Sequence, residues 1–260
     1  MLLAATALGQ TPPPAQVPAA DQASPRPDAN SRLAHQQLLA KAAQGGIDLY
    51  FEGDSITRRW GTSDAAYQAD LANWTANFFG WNAGDFGWGG DRVENILWRL
   101  EQGELDGVNP KVIVLLAGTN NLGTQPGNDT AIVQGLKAVV NLCRRKAPGA
   151  TIIVTAIFPR NDNLALVPVL NRINASLAAF ADGKKIRYLN VNARLADPEG
   201  RLIDGMMNPD KLHPTVKAYQ VWADGLKPIL TELLGPPAKT DHAPPPTGDP
   251  SAKPVAPASP

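Results

Sequence analysis

Residues 111–121 read KVIVLLAGTNN, a β-branched apolar run that passes directly into a Gly-Thr-Asn-Asn loop. Similar short apolar runs occur at residues 47–52, 151–158 and 186–191, with a shorter one near residues 81–83. Stretches of helical period separate these runs, which is typical of a parallel sheet covered by helices on both faces. The pattern predicts a three-layer α/β/α sandwich, with the ligand site at the carboxyl ends of the strands.

Three of the separating stretches predict helices in detail. Asn128 and Asp129 can cap a helix whose apolar face comprises Ile132, Leu136, Val139, Val140 and Cys143. A second helix is expected over residues 165–181. A final helix is expected to begin with Pro214 at its first position and to bury Val216, Tyr219, Trp222 and Leu226.

The composition predicts one catalytic domain between polar flanks. The chain has 260 residues, of which 43% are apolar, and the folded unit is expected at residues 31–234. Residues 1–30 begin with an apolar leader and continue, like residues 235–260, with Pro, Ala and Asp and almost no large apolar residues. Such segments cannot offset their ordering entropy by burial, so we expect both to be disordered or polyproline-like.

The net charge and the N-terminal sequence limit which partners and which cellular location we expect. Basic and acidic residues number 24 each, so no overall field favours nucleic acid or an anionic membrane surface. No stretch approaches the ~18 apolar residues of a membrane span. Residues 1–10, MLLAATALGQ, resemble the apolar part of an export signal but lack its basic start. A secreted or periplasmic location is expected, with a cytoplasmic one as the alternative.

Ser55 is the candidate nucleophile. It lies in Gly53-Asp54-Ser55-Ile56, directly after the first apolar run, where a strand-to-helix turn would present its hydroxyl among backbone N–H donors. The same tetrapeptide would also serve as a tight turn with a helix cap.

Two loops could supply donors for a developing oxyanion. Asn120 follows the strand at residues 111–117, and its amide could point into the site, although an Asx turn would use the same residue. The loop at residues 86–91, FGWGGD, could approach closely and leave the N–H of Gly90 free. A flexible linker would use its glycines equally well.

Asp210 and His213 are the candidate acid and base. A carboxylate three residues before an imidazole can hold one ring nitrogen and leave the other to accept a serine proton. Both residues could instead cap the helix that follows Pro214. In combination the four motifs fill every role in acyl transfer, and His213 is the only histidine placed for chemistry, because His35 precedes the first strand and His242 lies in the tail.

The ordered blocks GDSI, FGWGGD, GTNN and DKLH resemble the signature blocks of the SGNH (GDSL-type) hydrolases. The longer stretch at residues 89–121 is similar to the branch that includes the catalytic subunits of platelet-activating-factor acetylhydrolase and bacterial acetylesterases. The resemblance implies a flavodoxin-like sheet and a triad of Ser55, Asp210 and His213. It also implies an oxyanion hole made by the N–H groups of Ser55 and Gly90 and the side chain of Asn120, with no cofactor.

The expected activity is hydrolysis of short acyl esters, acetyl esters of carbohydrates above all, through an acyl-enzyme intermediate. We expect Asp54 and Trp88 to contact the substrate, with Trp88 or Phe86 closing a short acyl pocket, because these aromatics lie close to Gly90 in sequence. Trp74, Trp81, Trp98 and Trp222 are expected in the core.

Three other functions stay open. Lipid esters, as in a lysophospholipase or a platelet-activating-factor acetylhydrolase, are the first alternative. A glycan-binding module without catalysis is the second. A metal-dependent phosphoesterase could use Asp54, Asn120, Asp210 and His213 as ligands, but two-metal sites need several placed histidines or carboxylates, and one such histidine is present.

Overall fold

A computed structural model describes residues 18–124 and 128–252 of the chain. The strands are β1 (Leu49–Gly53), β2 (Ala83–Asp85), β3 (Val112–Leu116), β4 (Thr151–Thr155) and β5 (Ile186–Leu189). The α-helices are α1 (Ala29–Gln44), α2 (Ser55–Gly61), α3 (Gln68–Phe78), α4 (Val93–Arg99), α5 (Thr119–Thr124), α6 (Asp129–Lys146), α7 (Val167–Phe180) and α8 (Val216–Leu234).

All strand pairs are parallel, in the order β2-β1-β3-β4-β5. This is the doubly wound order of flavodoxin-like folds, and it confirms the predicted sandwich. The apolar strands alternate their side chains between two cores. Tyr50 and Ile113 pack with α1, α4, α6 and α7, whereas Phe51 and Val114 pack on the opposite face with α2, α3 and α8.

Two predicted helix starts need correction. Asn128 stands at the N-cap position of α6, but its side chain makes no capping hydrogen bond. The last helix begins at Val216 rather than at Pro214, because Thr215 caps it by accepting from the N–H of Ala218. Pro228 lies inside α8. The predicted helix at 165–181 is present as a 3₁₀ turn, Leu164–Leu166, followed by α7.

The expectation that the flanks are disordered is wrong for their described parts. Residues 235–252 follow the surface near β2, where the carbonyl of Gly80 accepts from Ala238 and the N–H of Gly80 donates to Asp241. Ser63 donates to the carbonyl of Thr247. Backbone and side-chain hydrogen bonds hold this segment, and one of its prolines, Pro244, is buried. The leader at residues 1–10 and residues 253–260 lie outside the described residues.

The N-terminal flank also packs. Ala20 is fully buried against Gly135, and Ser24 exchanges hydrogen bonds with Glu94 and Asn95 of α4. No helix in the described ranges combines the length and the apolarity needed to cross a bilayer.

Candidate active site

The hydroxyl of Ser55 lies at the carboxyl edge of the sheet. β1 ends at Gly53 and α2 begins at Ser55, so one residue separates the strand from the helix. That residue, Asp54, caps α2 by accepting the N–H of Ile56 at 2.9 Å. The cap fixes the turn and leaves the Ser55 hydroxyl half-buried at its surface.

His213 bridges Ser55 and Asp210. Its Nε2 lies 2.9 Å from Ser55 Oγ, and its Nδ1 lies 2.7 Å from Asp210 Oδ2. The other carboxylate oxygen, Oδ1, accepts the backbone N–H groups of Leu212 and His213 at 3.0 and 2.9 Å. Lys211 takes a left-handed conformation (φ 55°), which closes this tight loop. The three predicted triad residues are therefore in hydrogen-bonding order.

The surroundings of the imidazole favour its neutral form. Burial lowers the pKa of His213 below its ordinary value and, with a smaller effect of Arg59, outweighs the stabilising bond to Asp210. Burial alone would raise the pKa of Asp210, but hydrogen bonds from His213 and Leu212 lower it to about 2. Asp210 is thus ionised and His213 is uncharged at neutral pH, which are the states that proton abstraction from a serine requires.

Two arginines beside the triad were not predicted. Arg59 lies one turn after Ser55 on α2, with its Nη1 3.6 Å from Asp210 Oδ2. Arg160 is buried and donates to the carbonyl of Thr119 at 2.7 Å and to Asp162. Its charge also lowers the pKa of His213. The sequence did contain a signal for Arg59, because residues four apart on a helix lie on the same face and Arg59 follows Ser55 by four.

The predicted oxyanion donors lie on two loops that touch. Asn120 Nδ2 donates to the backbone carbonyl of Asp91 at 2.8 Å, which joins the start of α5 to the Gly90 turn. The Trp88 N–H donates to the carbonyl of Gly53 at 3.1 Å, so the same loop lies against the Ser55 turn. Neither the N–H of Ser55 nor that of Gly90 donates to another residue in the described ranges.

Asp54 and Trp88 do not line the site as predicted. The carboxyl of Asp54 is fully buried, and burial raises its pKa to about 7. Trp88 is 7% exposed, and its Nε1 donates to Ser31 Oγ at 2.9 Å. The Arg58 guanidinium covers its ring at 4.6 Å. Both side chains are part of the protein interior, so neither is free to contact a substrate.

The other aromatic residues and His35 are mostly buried or half-buried in the protein interior. Phe86 is fully buried and stacks on Tyr50 at 4.1 Å, so it cannot close an acyl pocket either. Trp74, Trp81 and Trp222 are buried as predicted, whereas Trp98 is half-buried against His35. His35 Nδ1 lies 2.6 Å from Glu104.

The described residues contain no group of three or more His, Cys, Asp or Glu side chains placed to hold a metal ion. The candidate metal ligands of a phosphoesterase are used otherwise. Asp54 is buried as a helix cap, Asn120 is hydrogen-bonded through its amide nitrogen, and Asp210 is bound to His213. The arrangement suits nucleophilic attack by a serine on a carbonyl carbon.

Comparison with known proteins agrees with this chemistry. Residues 51–221 match the model of the GDSL-like lipase/acylhydrolase family. The human platelet-activating factor acetylhydrolase IB subunit alpha1 is 29% identical over 202 residues, which span 77% of this chain and 82% of that protein.

Solved structures share the fold. A GDSL-like lipase from Bacteroides thetaiotaomicron superposes with a TM-score of 0.61 at 18% identity, covering 78% of this chain and all of the other (100%). A carbohydrate esterase family 3 protein from Talaromyces cellulolyticus superposes with a TM-score of 0.54 at 17% identity, covering 72% of this chain and 97% of the other.

Proposed function

Since the chain belongs to the GDSL-like lipase/acylhydrolase family and is a carboxylic ester hydrolase, we propose that it removes short acyl groups, acetyl above all, through an acyl-enzyme on Ser55. The observation that carries this proposal is the continuous hydrogen-bonded order of Ser55, His213 and Asp210. The acetyl preference is supported by the relatives, which are named acetylhydrolases.

In the proposed first step, Ser55 Oγ attacks the ester carbonyl carbon while His213 Nε2 takes the hydroxyl proton. The tetrahedral intermediate collapses, its bond to the alcohol oxygen breaks, and His213 returns the proton to that oxygen. A water molecule then attacks the acyl carbon while His213 takes one of its protons. The bond from that carbon to Ser55 Oγ breaks, the carboxylic acid leaves, and His213 returns the proton to Ser55. Asp210 stays ionised throughout and holds the imidazole in the required tautomer.

The negative charge of each tetrahedral intermediate needs fixed donors. We assign this role to the N–H groups of Ser55 and Gly90 and to the amide of Asn120. Their support is that the two N–H groups have no partner in the described part of the chain, and that Asn120 has a second N–H besides the one bound to Asp91.

For the alcohol part of the ester we propose a carbohydrate. Three charged side chains that reach solvent lie next to His213, namely Arg59, Asp210 and Lys211. Such side chains can hydrogen-bond the hydroxyl groups of a sugar.

A longer acyl or lipid ester is the second candidate, because one cavity favours it. The cavity has a volume of about 390 Å³ and lies beyond the ends of β4 and β5, between Pro159, Val167, Leu170 and the segment from Asn192 to Ile203. Its lining is mostly apolar. Asn161 joins it to the catalytic loop, because its N–H donates to Lys211 and its Nδ2 donates to Gly200.

The test is a comparison of kcat/KM for p-nitrophenyl esters from acetyl to dodecanoyl, together with acetylated xylan. We expect the acetyl ester and the acetylated sugar to react fastest, and Ser55→Ala to be inactive. The matched variant Ala193→Trp fills the cavity from an exposed position. It should leave acetyl hydrolysis unchanged. A wild-type optimum at eight carbons or more that Ala193→Trp abolishes would favour the lipid ester, and no hydrolysis at all would favour a binding module.

A further inference from the structure

The guanidinium of Arg26 lies against the loop that carries Gly90. Its Nη1 donates to the carbonyl of Gly89 at 3.1 Å and contacts Asp91 Oδ1 at 3.4 Å, while its Nη2 pairs with Asp28 at 3.2 Å. The side chain is 27% exposed, so most of it is enclosed by these partners. None of the catalytic motifs in the sequence includes this arginine.

The bond to Gly89 acts on the N–H of Gly90 through the peptide plane. The carbonyl of Gly89 and the N–H of Gly90 belong to one peptide unit, in which the C=O and N–H bonds point in opposite directions. An arginine that holds the oxygen therefore fixes the direction of the N–H. A charged donor on the oxygen also polarises the unit, which strengthens the N–H as a donor.

Glycine is required for this contact. Gly90 has φ +79°, and a Cβ built there would lie 2.9 Å from Arg26 Nη1. The arginine thus occupies the space that a side chain at this position would need. Two consecutive glycines otherwise leave the loop with large backbone freedom, and Gly90 itself is exposed. The hydrogen bond from Arg26 to the Gly89 carbonyl restricts the backbone at the peptide that carries the Gly90 N–H.

The other end of the loop is held independently. Asp91 is fully buried, and its Oδ2 accepts from Arg99 Nε at 2.7 Å. Its carbonyl accepts from the side chain of Asn120, which is another of the proposed oxyanion donors. Arg26 and Arg99 therefore each hold one carboxylate oxygen of Asp91. Because Asp91 follows Gly90 and accepts from Asn120, it fixes the position of the Gly90 N–H relative to the Asn120 amide.

The segment that carries Arg26 is itself anchored to α4 and α6. The N–H of Ser24 donates to the Glu94 carbonyl at 3.0 Å, and Asn95 Nδ2 donates to the Ser24 carbonyl at 2.9 Å. Ala20 is buried against Gly135 of α6. The position of Arg26 is therefore determined before a substrate binds.

We propose that Arg26 is a positioning residue, which orients and polarises the Gly89–Gly90 peptide so that the Gly90 N–H stabilises the oxyanion. The proposal rests on the proposed ester hydrolysis. It gives the N-terminal flank a part in turnover, although Arg26 does not touch the reacting atoms.

The test compares Arg26→Ala and Arg26→Lys with Arg187→Ala. Arg187 is a matched control, because its side chain is 28% exposed and it pairs with Glu232 on the opposite edge of the sheet. We expect Arg26→Ala to lower kcat roughly tenfold, less than the loss of 10² to 10³ for removal of a whole oxyanion donor, with KM within about twofold of the wild type. Arg26→Lys should restore part of kcat, since an ammonium can reach one carbonyl. Arg187→Ala should match the wild type.

Melting temperatures are measured for all variants, and kcat is measured again well below the lowest of them. The proposal is overturned if kcat of Arg26→Ala equals that of Arg187→Ala, if only KM changes, or if the loss disappears once every variant is fully folded. A wild-type protein that hydrolyses no ester would instead overturn the proposed function.

Discussion

Arg59 Nη1 lies 3.6 Å from Oδ2 of Asp210, the same oxygen that contacts Nδ1 of His213. The guanidinium thus faces the acid–base pair from α2, one turn after Ser55. Its positive charge opposes protonation of the imidazole and adds to the effect of burial on the pKa of His213. Arg160 acts in the same direction, whereas Asp210 opposes both.

This relationship predicts the pH dependence of activity. The imidazole must be uncharged to accept the Ser55 proton, so kcat/KM should rise with pH through one ionisation and reach its plateau above it. Because the pKa of His213 is lowered, that rise should lie below the ordinary histidine value of about 6.5. Arg59→Gln should raise the pKa and move the rise to higher pH, with Arg187→Gln as the control. An acid limb that stays in place in Arg59→Gln would show that this charge does not act on the base.

Asn120→Ala should lower kcat by roughly 10² to 10³ and change KM less, because an oxyanion donor acts on charge that develops in the transition state. Steady-state kinetics on a short ester measure both constants. The melting temperature serves as a control, since Asn120 also donates to the Asp91 carbonyl. An effect confined to KM would make Asn120 a substrate-binding residue.

Trp88→Phe should leave the preference for acyl chain length unchanged. The indole is buried beneath Arg58 and bound to Ser31, so the substitution removes one internal hydrogen bond without reaching the site. Its cost should appear as a loss of stability of about 1 kcal/mol. We would compare kcat/KM along the ester series with that of the wild type. A shift of the preferred length would restore Trp88 to the acyl pocket.

Removal of residues 236–260 should lower the melting temperature by several degrees. The described part of this flank makes hydrogen bonds to Gly80, Asn82 and Ser63, each worth about 0.5–1.5 kcal/mol, and a loss of 1 kcal/mol shifts the midpoint of a domain this size by roughly 2–4 °C.

A point variant checks the same contacts without shortening the chain. Asp249→Ala removes the carboxylate that accepts from Asn30 and should lower the melting temperature, whereas Asp204→Ala, at an exposed position, should not. Equal melting temperatures for the truncated and full chains would return the segment to the disordered state that its composition predicts.

The sheet and the triad could be predicted because their signals are local. β3 and β4 are short runs of apolar and β-branched residues, and the residues that closely follow a parallel strand lie at the carboxyl edge of the sheet, as Ser55 and Asn120 show. The spacing between Asp210 and His213 likewise lies within one loop. Side-chain direction is not local in this sense. Trp88 lies two residues before Gly90, yet its ring turns inward to Ser31.

The prediction of disordered flanks failed for a different reason. Their composition shows few large apolar residues, but it carries no information about backbone groups that find partners on the folded domain. Gly80 exchanges hydrogen bonds with Ala238 and Asp241, and Arg26 reaches the Gly89 carbonyl. All three contacts join residues more than sixty positions apart, and no pattern along the sequence encodes them.

The roles of Ser55 as nucleophile and His213 as its base are tested most directly by measuring kcat on an acetyl ester for Ser55→Ala, His213→Ala and the double variant. The two residues act as one unit, so each single substitution should lower kcat by roughly 10⁴ to 10⁶ and the double variant should be little worse than either. A single variant with near wild-type turnover, or a double variant whose loss is the product of the two single losses, would contradict the assignment of Ser55 as nucleophile and His213 as its base.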